Sequence, residues 1–146
     1  MEETHAFKVS VTAQDESHAL AEARNHQFVL NIKKGNGEAG FSAAETLVAA
    51  LGACILTNIQ ALGQKMRLQI DDVRIEFDAV RRDEPPAITE INYRLILTSP
   101  EMEEKLQELH ELSLKWGTVT NTLINGITPH GQLILQKPVG TTETKK

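Results

Sequence analysis

The chain has 146 residues, a formal net charge of −5, and 40% hydrophobic and 24% charged side chains, a make-up that fits one ordinary globular domain and excludes a disordered or fibrous chain. Its pI near 5.5 argues against the basic surface that nucleic-acid phosphates require, and its longest apolar run falls short of the roughly 20 residues that span a bilayer. One cysteine and five scattered histidines offer no intrachain disulfide and no zinc spacing, so no metal or cofactor is expected.

The N-terminus, Met1-Glu2-Glu3-Thr4, is acidic and lacks the apolar core of a signal peptide, so a cytoplasmic protein is expected. Phe7, Val9 and Val11 then alternate with polar residues, as do Phe28, Leu30 and Ile32, which predicts two or three short strands. Ala19-Leu20-Ala21-Glu22-Ala23 between them reads either as a strand or as a helical turn. Lys33-Lys34 and, later, Arg81-Arg82 read as solvated turn charges. The glycines of Lys34-Gly35-Asn36-Gly37-Glu38-Ala39-Gly40 make a loop leading into the most apolar part of the chain.

Ser42 followed three residues on by Glu45 is a capping-box pattern with Phe41 as the preceding staple, so a helix starts at about Ala43. It is predicted to run to about Leu62, with Gly63 as its stop. No charge falls between Leu47 and Leu56, which marks this as a buried helix, and it carries the lone cysteine, Cys54. Small neighbours, Ala49, Ala50, Gly52 and Ala53, predict that another element packs closely at the level of the sulfur. Asp71 to Arg82 and Ala87 to Thr98 alternate cleanly around Asp83-Glu84-Pro85-Pro86, an antiparallel hairpin. Ser99-Pro100 predicts a helix start, with Glu101/Lys105 and Glu111/Lys115 pairs on its wet side and Met102, Leu106 and Leu109 inside. Thr118 to Ile124 predicts a short third helix closed by Asn125-Gly126, and Gln132 to Gln136 a last strand. Residues 1–140 form one domain of α+β class, antiparallel sheets packed around a central buried helix, and Thr141 to Lys146 a polar tail expected to be disordered.

Three segments carry a family resemblance. Glu45-Thr46-Leu47-Val48-Ala49-Ala50-Leu51-Gly52-Ala53-Cys54 resembles the E-L-L-L-A-A-L-G-A-C helix of the OsmC/Ohr superfamily. Arg24-Asn25-His26-Gln27-Phe28-Val29-Leu30 resembles the R-N-H-x-F-x-x strand before it. Trp116-Gly117-Thr118-Val119-Thr120-Asn121-Thr122-Leu123 resembles the C-P-V-x-x-T-L segment after it. The resemblance implies an intertwined homodimer with the cysteine helices at the interface, and thiol-dependent reduction of organic hydroperoxides. In that chemistry one cysteine attacks the peroxide and a second resolves the sulfenic acid, while an arginine and a glutamate organise the thiolate. Carried onto this chain, Cys54 matches the attacking position, Gly117 the resolving one, Arg24 the arginine, and Ala44 the usual glutamate, with Glu45 beside it. The loop before the cysteine helix lacks the family's prolines and paired glycines, so the site mouth is expected to differ in shape.

A chain with one cysteine cannot close the two-cysteine cycle within itself, so an external thiol must reduce the sulfenic acid before it over-oxidises. Glu45 reads either as a catalytic carboxylate or as a capping residue. Nine residues along a helix turn about 900°, half a revolution past whole turns, which places it opposite Cys54. Arg24 reads as a thiolate cation or a solvated strand charge, His26 as a base or a structural side chain, and Cys54 as reactive or as inert packing. Three functions follow: a one-cysteine hydroperoxide reductase whose pocket is shaped by residues such as Leu51 and Ile55, a noncatalytic dimer holding an apolar small molecule, and a redox sensor capped at Cys54 by glutathione.

Overall fold

The computed structural model describes residues 2–35 and 37–139. Three antiparallel strands come first: β1 (Ser10–Ala13), β2 (His18–Ala23) and β3 (His26–Asn31), in the order β1-β2-β3. The alanine-rich segment is thus a strand, with Ala19 and Ala21 buried. A short 3-10 turn, Gly37–Ala39, leads to α1 (Ala43–Lys65). The hairpin β4 (Asp72–Asp83) and β5 (Pro86–Thr98) follows, then α2 (Glu103–Lys115) and α3 (Thr118–Asn125).

The capping box is present in full: the Glu45 amide donates to Ser42 Oγ at 3.1 Å and the Ser42 amide to Glu45 Oε1 at 2.9 Å. The helix does not stop at Gly63. It runs through it to Lys65 and ends where Arg67 takes a left-handed φ of 57°, with the Leu68 amide bonded to the Gly63 carbonyl at 2.9 Å and the Arg67 amide to that of Gln64 at 3.0 Å, the paired bonds of a Schellman ending. Gly63 serves packing instead, since a Cβ there would stand 3.8 Å from Leu109 of α2. Gly52 does the same for the hairpin: a Cβ on it would come within 3.0 Å of the Phe77 ring, so α1 lies on β4 at that level.

The core is one face of α1 against the hairpin and α2. Ile55, Ile59 and Leu109 are fully buried and Leu51 nearly so, with Val73, Ile75, Phe77, Leu95 and Leu97 packed around them; burial of each such side chain stabilises by about 1.5–3 kcal/mol. The outward faces of the hairpin carry exposed ion pairs, Arg94 with Glu76 at 3.1 Å and Arg81 with Asp83 at 2.6 Å, the expected solvated charges. The opposite face of α1 is open, with Ala49, Ala50 and Ala53 exposed. The helix buries one face in the core of the single chain, as a central buried helix does, and leaves the other face bare. Length and composition would let α1 cross a membrane, but its role here is that of a core helix.

Three further expectations are corrected. Ser99 does not cap α2: its hydroxyl donates to the Gln69 carbonyl at 2.6 Å and accepts from the Glu101 amide at 3.1 Å, while Glu101 takes the Gln69 amide at 2.7 Å. The helix therefore opens after Met102, and Lys105 faces Glu108 at 3.7 Å in place of Glu101. No strand forms at Gln132–Gln136. That stretch pairs with no strand of the chain and leaves Leu133, Ile134 and Leu135 exposed, so its apolar side chains find nothing to pack against within one copy. The expected tail, Thr141 to Lys146, lies outside the described residues.

The β1–β2–β3 sheet joins the rest chiefly at Phe41, whose bridge to Leu30 is closed by the Asn31 amide on the Phe41 carbonyl at 2.9 Å. Phe7, Val9, Val11, Phe28, Val29 and Ile32 on it are all exposed. The chain presents 12354 Å² of accessible surface, against about 7,500 Å² for a compact monomer of its mass.

Candidate functional site

Cys54 lies halfway along α1 and is half-buried. Helical spacing puts it on the same side as Leu47 and Leu51 before it and Asn58 after it. The Asn58 amide donates to the Ser113 carbonyl of α2 at 3.0 Å, and Ser113, fully buried, returns its own hydroxyl to Leu109. These bonds fix the end of α2 beside the turn of α1 that follows the cysteine.

The corner between α2 and α3 then closes over the sulfur. The Gly117 amide bonds to Leu114 at 3.2 Å, the Gly117 carbonyl receives the Asn121 amide at 2.9 Å, and Asn121 Nδ2 donates to the Lys115 carbonyl at 3.1 Å. A Cβ built on Gly117 would stand 3.1 Å from Cys54 Sγ and 2.8 Å from Thr120 Oγ1. The small residue at 117 is what lets the corner approach the sulfur so closely. Thr120 is 8% exposed, and its hydroxyl oxygen is buried without a hydrogen-bond partner among the described residues.

Thr120 also lines a groove of about 490 Å³ between α1, β5 and α3, walled by Leu47, Leu51, Ile91, Leu123 and Ile124. Ile55, expected at a pocket, is sealed in the core instead. At the groove floor Tyr93 shares a 2.6 Å hydrogen bond with His110 Nε2 and stacks edge-on to it. Burial raises the Tyr93 phenol above its ordinary value of 10.0.

Of the residues singled out in the sequence, only Cys54 and position 117 are brought together. Arg24 sits exposed in the β2–β3 turn with a φ of 57°, on the sheet that does not pack on α1, so the single chain does not carry it to the thiol. His26 is exposed at the start of β3. Glu45 is engaged in the cap. Thr120 and Tyr93 had no signal in the sequence: a threonine early in a helix and a tyrosine on an alternating strand are unremarkable until their neighbours are known. Among the described residues no cluster of three or more His, Cys, Asp or Glu side chains has the arrangement of a metal site.

The family model for OsmC-like proteins matches residues 34–130, a stretch that contains both Cys54 and the α2–α3 corner and makes up well over half of the chain. The chain belongs to the OsmC-like protein family. Among solved structures it is similar to an OsmC-like protein from Mycoplasma pneumoniae, with a TM-score of 0.75 and 20% identity over 82% of this chain and 88% of that one. It is also similar to an OsmC-like hydroperoxide resistance protein from Jannaschia sp. CCS1, with a TM-score of 0.54 and 18% identity over 89% and 93%. For the organic hydroperoxide resistance protein OhrB of Bacillus subtilis the TM-score is 0.56, with 14% identity over 81% and 90%. At these identities the shared property is the fold. No curated protein matched the sequence.

Proposed function

We propose that this OsmC-like protein is a cytoplasmic homodimer that reduces organic hydroperoxides at Cys54 in a one-cysteine cycle. The observation that carries the reading is the placement of the half-buried Cys54 sulfur against residue 117, beside an apolar groove, in a chain with no second cysteine. The thiolate attacks the distal peroxide oxygen, the O–O bond breaks, the alkoxide leaves and takes a proton to become the alcohol, and Cys54 becomes a sulfenic acid. A small external thiol then displaces water to form a mixed disulfide, and a second thiol releases Cys54 as the free thiol with a disulfide as co-product. In each turn the Cys54 sulfur gives two electrons to the peroxide and regains two from the pair of external thiols.

The dimer is supported by the excess surface, nearly 5,000 Å² per chain beyond a compact monomer, which is more than enough to supply one partner's half of an obligate interface. Its apolar character agrees, since the open face of α1 and the β1–β2–β3 sheet are the parts left bare. Laid against a second copy, that sheet would give Arg24 a route to a thiol that it lacks within one chain, as the cation favouring the thiolate at about 4–6 Å. Glu45 contributes as the cap of α1.

A second reading, a noncatalytic dimer holding an apolar small molecule, is favoured by the groove together with the distance of Arg24 and Glu45 from the sulfur. The two part in one experiment. After one equivalent of cumene hydroperoxide, dimedone should label Cys54 as a sulfenic acid, excess small thiol should restore the unmodified mass, and Cys54→Ser should give no label. An unmodified thiol after excess hydroperoxide would leave the binding reading. A stable glutathione adduct that blocks further turnover would favour the sensor.

A further inference from the structure

Four hydroxyls on the helices are committed: Thr46, Thr57, Ser113 and Thr122 each donate to the carbonyl four residues back, at 2.6 to 2.8 Å. Thr120 is different. Its corresponding carbonyl belongs to Trp116, the cap residue of α2, and its buried oxygen has no partner among the described residues. Such a group costs stability, commonly 1–3 kcal/mol, and the place it occupies is informative. The point where a residue-117 Cβ would stand is 2.8 Å from this oxygen and 3.1 Å from Cys54 Sγ. A side chain at 117 and the hydroxyl in this position therefore exclude each other. Gly117 frees the space, and Thr120 takes it.

We infer that the Thr120 hydroxyl is the hydrogen-bond donor to the Cys54 sulfur once the thiol ionises, a positioning residue that holds the thiolate where a second cysteine would otherwise approach. The inference rests on the reading of Cys54 as reactive. A hydroxyl donates to a thiolate far better than to a thiol, so the bond favours the charged form. Other polar groups near this level are already engaged: His110 is bonded to Tyr93, and Lys115 of α2 lies over the Trp116 ring at 5.6 Å. Along α1, Glu45 is bound in the cap. The α3 helix carries no charged residue, and Glu90 of β5 is the charged residue among those lining the groove.

The test is Cys54 alkylation by iodoacetamide as a function of pH in the full chain and in Thr120→Val and Thr120→Ser. Valine keeps the shape and loses the donor; serine keeps the donor. At neutral pH the valine variant should react about tenfold more slowly, as one hydrogen bond to a charged group predicts, with its pH profile displaced upward. Serine should return both to within about twofold. Equal rates and profiles for Thr120→Val and the parent chain would overturn the inference, as would a loss that serine fails to rescue, since that loss would reflect packing. Alkylation requires no peroxide. A Thr120-dependent thiol that leaves hydroperoxide intact would thus refute the peroxidase reading alone, and hydroperoxide reduction indifferent to Thr120→Val would refute this inference alone.

Discussion

Replacing Gly117 by cysteine asks the structure a question with a numerical answer. A disulfide with an S–S bond of about 2.04 Å holds each Cβ about 3 Å from the other sulfur, and a Cβ at 117 lies 3.1 Å from Cys54 Sγ. The pair is set to close. Against it stand the Thr120 oxygen at 2.8 Å and the Thr120 Cβ at 3.1 Å, contacts that require Thr120 to rotate or recede, at about 1–3 kcal/mol for overpacking. The closed loop of about 60 residues removes unfolded-state entropy corresponding to about 4 kcal/mol. Oxidised Gly117→Cys should therefore exceed its own reduced form by about 4 kcal/mol and the parent by about 1–3. For a chain of this size the first figure is about 10 °C in melting temperature. Mild oxidation with diamide, intact mass for the loss of two hydrogens, and melting of parent and variant with and without reductant test these figures. Two titratable thiols persisting in the native, oxidant-treated variant would mean that α3 does not sit against Cys54, and the site as described would be wrong.

Glu45→Gln should leave the hydroperoxide rate within about twofold, because the carboxylate is engaged in the cap, where its Oε1 accepts from the Ser42 amide; a tenfold loss in a stopped-flow assay would return Glu45 to the chemistry. Ser42→Ala, by contrast, should cost about 1 kcal/mol in urea unfolding without changing that rate. Tyr93 is the single tyrosine, so absorbance near 295 nm reads it alone, and its midpoint should lie above 10, the direction its burial imposes. The native phenol then holds its proton where the unfolded one has lost it, so stability is unaffected below the ordinary value and declines as pH rises past it. Tyr93→Phe should remove that part of the alkaline decline, and a Tyr93 midpoint at or below 10 would contradict the burial.

Much of the fold was legible because local rules and tertiary packing agree. The alternation of Val73, Ile75 and Phe77 against charged partners is the hairpin's inner and outer face, and Ser42 with Glu45 fixes the start of α1 to the residue. The misreadings have local causes. Ser99 carries a cap's chemistry but spends it on the Gln69 carbonyl, which no window of sequence reveals. Gly63 reads as a stop because glycine is the usual left-handed residue, yet Arg67 takes that role and Gly63 serves contact with Leu109. The apolar alternation near Leu133 and Leu135 has no strand to pair with inside one chain. At the site, the cysteine and its facing position came from resemblance to known helices. The orphaned hydroxyl of Thr120 came only from three dimensions, since nothing in Thr118-Val119-Thr120 says which threonine loses its carbonyl partner. Arg24 marks the reverse case, a residue the sequence nominates and the single chain leaves far from the thiol.

The central claim is that Cys54 is a reactive peroxide-reducing thiol, and the most direct measurement is its second-order rate with cumene hydroperoxide at neutral pH, followed by stopped-flow fluorescence with Cys54→Ser as the blank. The account predicts a rate at least a hundredfold above that of free cysteine, first order in protein and in peroxide. A rate equal to that of free cysteine would contradict it and leave the sulfur as packing beside a binding groove.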